Sequence, residues 1–194
     1  METQSMTIDG IKEKLVVVIN GSGESGKDTL CDLAAKHYRC QNHSSVDPIK
    51  EMARLGGWMG QKDAKSRRML SDLKNLFIDY NDWPTKYLIR KYYEFERSDD
   101  DILFVHIREP KEIDKFLMAI KPSEDVEMRN LAFLIRRSAA PTMFGNASDD
   151  GVSEYAYDAV FVNDVDLNSA EEKFVHLLET GMRFFGLQIE KHKA

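Results

Sequence analysis

Nine consecutive residues near the start of the chain carry the clearest chemistry: Gly21-Ser22-Gly23-Glu24-Ser25-Gly26-Lys27-Asp28-Thr29. Their spacing is Gly-x-x-x-x-Gly-Lys. Glycines let consecutive main-chain N–H groups curl around an anion without a clash from Cβ. A helix that opens directly after such a loop turns its positive dipole end toward the same point. A lysine at the junction reaches the outer phosphates of a polyphosphate. The spacing has this meaning only between a strand and a helix. The flanks supply both: the apolar run Leu15 to Ile19 before it, and Leu30, Leu33, Ala34 and Tyr38 at helical spacing after it.

The position after the lysine commonly holds a hydroxyl residue that meets Mg²⁺. Here it is Asp28, with Thr29 next. A carboxylate is a hard oxygen ligand for Mg²⁺. Either Asp28 meets the metal, directly or through water, or Asp28 orders the loop and Thr29 takes the metal. Phosphoryl transfer needs positioning, and positive charge beside the transferring oxygens, more than covalent help. The candidate cations for that role are Arg108, Arg136 and Arg137, each just past an apolar run. Asp47, Lys50, Arg67 and Arg68 lie between the runs at 40–46 and 102–107, and arginine can grip a phosphate bidentately. Asn163 and Asp164 follow the last apolar run.

The elements that must position these residues are legible from periodicity. Apolar runs at 15–19, at 102–107 with His106 as its one polar member, at 131–135 and at 159–162 read as strands covered on both faces. Residues 40–46 read as a further strand, although a polar one. Asp47-Pro48 opens a helix, with Asp47 as its cap, and Gly56-Gly57 ends it. Met69, Leu73, Leu76, Phe77 and Tyr80 form a second helical stripe. A break at Asn81 to Pro84 precedes a helix that runs to Arg97. Pro110 starts another helix with Ile113, Phe116, Leu117 and Ile120 on one face. Residues 121–130 read as a polar loop. Ser169 and Glu172 read as a capping box before a last helix, in which Phe174, Leu177, Leu178, Gly181 and Phe185 keep helical spacing to the end. The alternation implies an α/β fold: three layers, α/β/α, around a five-stranded parallel sheet. The chain reads as one domain over 1–194, with a flexible lead-in at 1–13, a helical acceptor-binding insert at 47–98 and a short lid-like loop at 138–158. In such sheets ligands lie beyond the carboxyl ends of the strands.

Bulk properties narrow the class. At 194 residues, 42% hydrophobic and 31% charged, the chain is long enough and apolar enough for one continuous core. A net charge of −6 without a basic stripe argues against a nucleic-acid partner. The longest apolar run is far short of the roughly 20 residues that span a bilayer, so no membrane association is expected. The start of the chain lacks the pattern of a signal peptide. Cys31 and Cys40 have no metal-like spacing, and reduced thiols fit a cytoplasmic location.

The run Ser25-Gly26-Lys27-Asp28-Thr29 resembles the loop of two related kinase groups: phage-type deoxynucleoside monophosphate kinases and animal-type phosphomevalonate kinases. Asp47-Pro48-Ile49-Lys50-Glu51, Arg67-Arg68-Met69-Leu70 and Ile107-Arg108-Glu109-Pro110 resemble successive segments of the deoxynucleotide kinases. So do Asp149-Asp150 to Asp158 and Val160-Phe161-Val162-Asn163-Asp164. The resemblance covers about residues 15–180, in matching order. It implies an adenylate-kinase-like P-loop kinase fold, ATP and Mg²⁺ as cofactors, and transfer of the γ-phosphate to a nucleoside or deoxynucleoside monophosphate, with Asp47, Lys50, Arg67 and Arg68 orienting the acceptor and Asn163 and Asp164 beside the nucleotide base. A phosphomevalonate-like acceptor and a low-turnover ATP-binding module are the alternatives. A monomer or homodimer is expected. Two departures stand out. His106 occupies a strand end where these kinases usually carry Asp, and no Lys or Arg occurs between Ser138 and Glu172.

Overall fold

The computed structural model describes residues 11–139 and 152–192. Five strands form one parallel sheet in the order β2-β3-β1-β4-β5: β1 is Lys12–Asn20, β2 Cys40–Ser44, β3 Ile102–His106, β4 Val126–Arg136 and β5 Ala159–Val162. The helices are α1 (Lys27–Ala34), α2 (Asp47–Leu55), α3 (Ala64–Asn81), α4 (Trp83–Arg97), α5 (Pro110–Ala119) and α6 (Leu167–Phe185). The expected three-layer α/β arrangement is the one the chain adopts.

The central strand explains the core. Leu15, Val16, Val17, Val18 and Ile19 have no exposed surface, because β1 is paired on both edges and covered on both faces. Leu15, Val17 and Ile19 meet α1 and α6, including Leu30, Phe174 and Leu178. Val16 and Val18 meet α4 and α5, through Leu88, Phe95, Ile113 and Phe116. A β-branched run suits a strand buried on both sides. The edge strand β2 can be polar because it has one neighbour and its residues are only half covered.

Several boundaries differ from the sequence expectation: β2 stops at Ser44 and α6 at Phe185, and four more have identifiable causes. The lead-in ends earlier, since Lys12 and Glu13 already lie in β1, paired with Val126 and Glu127. Residues 126–130 are strand rather than loop. Val126 and Met128 are buried while Arg129 and Asn130 face outward, so the half-strand alternates where its partner's far half is all apolar. Asp47 is the first helical residue of α2 rather than its cap, and its carboxylate accepts from the Ser44 amide at 2.7 Å. At α6 the cap is Asp166, which accepts from the amides of Asn168 and Ser169, so Ser169 lies inside the helix. Asp supplies the same acceptor as Ser at such a cap, and the earlier residue took the role.

Helix α3 shows its stripe to solvent: Leu76 is 59% and Tyr80 78% exposed. It packs at the rim of the molecule, where Ser66 and Lys74 are its buried residues. Residues 1–10 of the lead-in and 140–151 of the lid-like loop, with Asp149 and Asp150, lie outside the described residues.

Candidate active site

The chain leaves β1 through α1 on one face of the sheet and leaves β3 through α5 on the other. Since β1 and β3 are neighbours, their carboxyl ends diverge into a crevice, the position where open α/β sheets bind ligands. The glycine loop, His106 and Arg108 all stand at this point.

The loop is built as an anion cradle. Gly21 and Gly26 have φ of 147° and 88°, a region open to glycine and costly for other residues. At each there is also no room for a side chain. A Cβ on Gly21 would run into the Ile135 carbonyl, and one on Gly26 into the Asn163 amide. Glu24 takes φ 65° at the exposed tip. Gly26 caps α1, leaving the first N–H groups of the helix directed at the loop. Lys27 Nζ donates to the carbonyls of Gly21 and Ser22 at 2.7 and 2.8 Å and to Ser25 Oγ at 3.2 Å. Its ammonium is therefore held over the mouth of the loop.

His106 is the residue around which the charges gather. It is 8% exposed, and its Nε2 lies 3.8 Å from both Asp28 Oδ1 and Cys31 Sγ. Burial lowers its pKa to about 4; Asp28 pulls it up, while Lys27, Lys50 and Arg108 push it down. The imidazole is thus neutral at pH 7. Burial likewise pushes the Cys31 thiol well up, with Asp28 adding to the effect, so Cys31 stays a thiol. Four of the sequence-selected residues, Lys27, Asp28, Lys50 and Arg108, are therefore close enough to act on one side chain.

The other selected residues divide. Arg67 reaches across from α3 to Glu24 at the loop tip, at 3.5 Å. Asn163 Nδ2 donates to the Ser25 carbonyl at 2.9 Å and so braces the loop from β5. Asp164 accepts from the Ser138 amide and hydroxyl, tying the end of β5 to the chain leaving β4. Arg136 and Arg137 are exposed at the end of β4. Lys50 lies 3.5 Å from Asp47, and Arg68 pairs with Asp72 along its own helix at 3.8 Å. Arg68 and Lys65 also edge a groove of about 630 Å³ between α2 and α3, floored by Met52, Ala53, Met69 and Leu73.

Sequence reasoning missed Asn20 and Tyr157. Asn20 has no exposed surface and bonds to Gly21, Arg108 and Tyr157. Its signal was faint: one polar residue closing an apolar run just before the glycines. Tyr157 gave no signal, because its partner is 137 residues away.

No family model matches the chain, and no curated protein does. Solved structures do. A protein assigned as a kinase from Chloroflexus aurantiacus is 14% identical with a TM-score of 0.47, over 88% of this chain and 98% of that one. Shikimate kinase from Aquifex aeolicus is 10% identical with a TM-score of 0.45, over 87% and 98%. A sugar kinase from a Janibacter species is 15% identical with a TM-score of 0.42, over 93% and 99%. At TM-scores below 0.5 these likenesses carry no argument about what this chain does; the geometry of its own loop does.

Magnesium fits the residues present. Mg²⁺ keeps several waters and takes one or two carboxylates plus phosphate oxygens, rather than an all-protein cage. Among the described residues no cluster of three or more His, Cys, Asp or Glu could hold a metal unaided. Asp28, with its side chain 89% exposed, and Thr29, also exposed, stand at the first turn of α1, where phosphate oxygens would complete such a shell. Among the described residues no helix is long and apolar enough to cross a membrane.

Proposed function

We propose that the chain is an ATP-dependent phosphotransferase whose acceptor is itself a phosphate, of the nucleoside or deoxynucleoside monophosphate kinase type. The observation that carries this reading is the loop 21–26: two glycines that tolerate no side chain, the open amide end of α1, and the Lys27 ammonium over its mouth. Lys27 would exchange the Gly21 and Ser22 carbonyls for the β- and γ-phosphates. Asp28 and Thr29 are the residues that would hold Mg²⁺, which when bound neutralises charge shared by the β- and γ-phosphates.

The acceptor side is supported by Arg67, which already spans the distance from α3 to the loop tip, and by the groove edged by Arg68 and Lys65. Lys50 and Asp47 lie at the start of α2 on the same side. An acceptor phosphate oxygen is anionic at neutral pH and needs no base. It forms a bond to the γ-phosphorus while the bond to the β-bridging oxygen breaks, and the electron pair leaves on ADP. Arg108, with Arg136 and Arg137, would meet the charge on the transferring oxygens.

A coupled ADP-release assay over nucleoside, deoxynucleoside and non-nucleotide monophosphates tests the reading. Rapid turnover with one nucleoside monophosphate is the expected result. Turnover confined to a phosphomevalonate-like ester would move the acceptor to another class. One observation favours a low-turnover ATP-binding module: the neutral, buried His106 where the resembling kinases carry a carboxylate. Tight ATP binding with silence across the whole panel would establish that reading instead.

A further inference from the structure

Asn20 closes β1 with its side chain wholly buried, and every hydrogen-bonding group of its carboxamide is engaged. Oδ1 accepts from the Gly21 amide at 2.7 Å. Nδ2 donates to the Arg108 carbonyl at 3.0 Å and to the Tyr157 hydroxyl at 2.6 Å. The hydroxyl in turn donates its proton to the Val152 carbonyl at 2.6 Å, so its lone pair faces Asn20. Burial pushes the Tyr157 pKa up to about 12, so the hydroxyl keeps that proton at neutral pH. The direction of the chain of bonds is therefore fixed. A flipped amide would set two oxygens face to face at Arg108 and two N–H groups at Gly21.

We infer that Asn20 and Tyr157 are positioning residues that lock Arg108, against the end of β1, into one geometry toward the γ-phosphate. This rests on the function proposed above. One amide sets the first peptide of the loop, and the same amide sets the main chain from which Arg108 projects. Tyr157 supplies the partner without which the amide can rotate. Electrostatic stabilisation depends on such preorganisation, and a shift near 1 Å in a positioning group has large effects. ADP has no γ-phosphate and does not sense Arg108 in this way. The signature of the device is therefore selective loss of affinity for a triphosphate.

The test compares wild type, Tyr157→Phe, Asn20→Ala and the double variant by calorimetry with Mg²⁺ and either ADP or the β,γ-imido analogue of ATP, together with melting temperature. Tyr157→Phe keeps the ring against Tyr155, whose centroid is 5.1 Å away, and removes only the hydroxyl. It is expected to weaken the imido analogue about tenfold and ADP less than about twofold, the loss of roughly one buried hydrogen bond acting on one ligand. In the double variant the effects should fall short of additive, as for residues in one network. Should Asn20→Ala fail to fold, Tyr157→Phe decides alone. Equal weakening of both nucleotides, or no change in either, overturns the inference and leaves the proposed function standing. A wild type that binds neither nucleotide removes the proposed function, and the inference with it.

Discussion

The Nε2 atom of His106, at the end of β3, lies 3.8 Å from the Asp28 carboxylate, at the start of α1. The pair joins the two strands' exits at the floor of the crevice. Because burial holds the imidazole neutral, the folded state resists its protonation. The folded pKa of about 4 is below the ordinary value of 6.5, so the group's contribution is fully present above pH 6.5. It is lost as pH falls toward 4. His43 is shifted the same way, chiefly by burial. Urea midpoints measured from pH 7 to pH 4 in EDTA should fall by an amount worth roughly 3 kcal/mol at most for His106. His106→Asn should flatten most of that slope, and an unchanged slope would remove His106 as its source.

Lys27→Ala should leave the melting temperature within a few degrees, since the lysine is only partly buried and tops a surface loop. Turnover in the ADP-release assay should fall by roughly a thousandfold, the scale of removing one preorganised group from a transition state. Retained turnover would take the ammonium out of the chemistry.

Gly26→Ala tests the cradle itself. The new methyl meets the Asn163 amide and forces a residue other than glycine into φ 88°, a conformation that costs about 1–2 kcal/mol. The Asn163 bond to the Ser25 carbonyl must also shift. Thermal unfolding should show a drop of a few degrees, and affinity for MgATP should fall by about tenfold or more. Wild-type affinity in this variant would mean that the loop's shape does not matter for binding.

Lys14 is a structural device near the amino end of β1, at the opposite end of the strand from the glycine loop. It is 2% exposed, and its ammonium donates to the carbonyls of Phe95, Ser98 and Asp100 at 3.0, 2.9 and 2.6 Å, closing the C-terminal end of α4. The Phe95 ring centroid lies 4.4 Å from the same nitrogen. Lys14→Met conserves volume but strands these acceptors and should cost roughly 2–4 kcal/mol. Differential scanning calorimetry should register a fall of roughly 5–10 °C, with nucleotide affinity unaltered. An undiminished melting temperature would show that water replaces the ammonium at no cost.

The sheet and its loop were legible because their causes are local. A stretch of strand covered on both faces is apolar without interruption, as Leu15 to Ile19 of β1 and Ile102 to Val105 of β3 are. A turn with positive φ and no room for a Cβ must have glycine, and Gly21 and Gly26 are at such positions. Residues 126–130 read as loop in the sequence because one of their faces is solvated, which puts Glu127 between the buried Val126 and Met128, and Arg129 and Asn130 directly after them. Competition between neighbours hid the cap of α6. Asp166 and Ser169 both suit a cap, and only the backbone chooses. Around the site, Lys27 and Asp28 followed from spacing, whereas the Asn20–Tyr157 bond joins residues far apart in the chain and has no pattern. The bridge from Arg67 to Glu24 also depends on how α3 packs, which periodicity does not reveal.

The proposed activity requires that the ring of amides at 21–26 take up a polyphosphate. Titrating MgATP into the wild-type chain in a calorimeter measures this directly. One site per chain with a dissociation constant in the micromolar range, abolished by excess pyrophosphate, is the predicted result. An absence of heat, together with a melting temperature unmoved by millimolar MgATP, would contradict it.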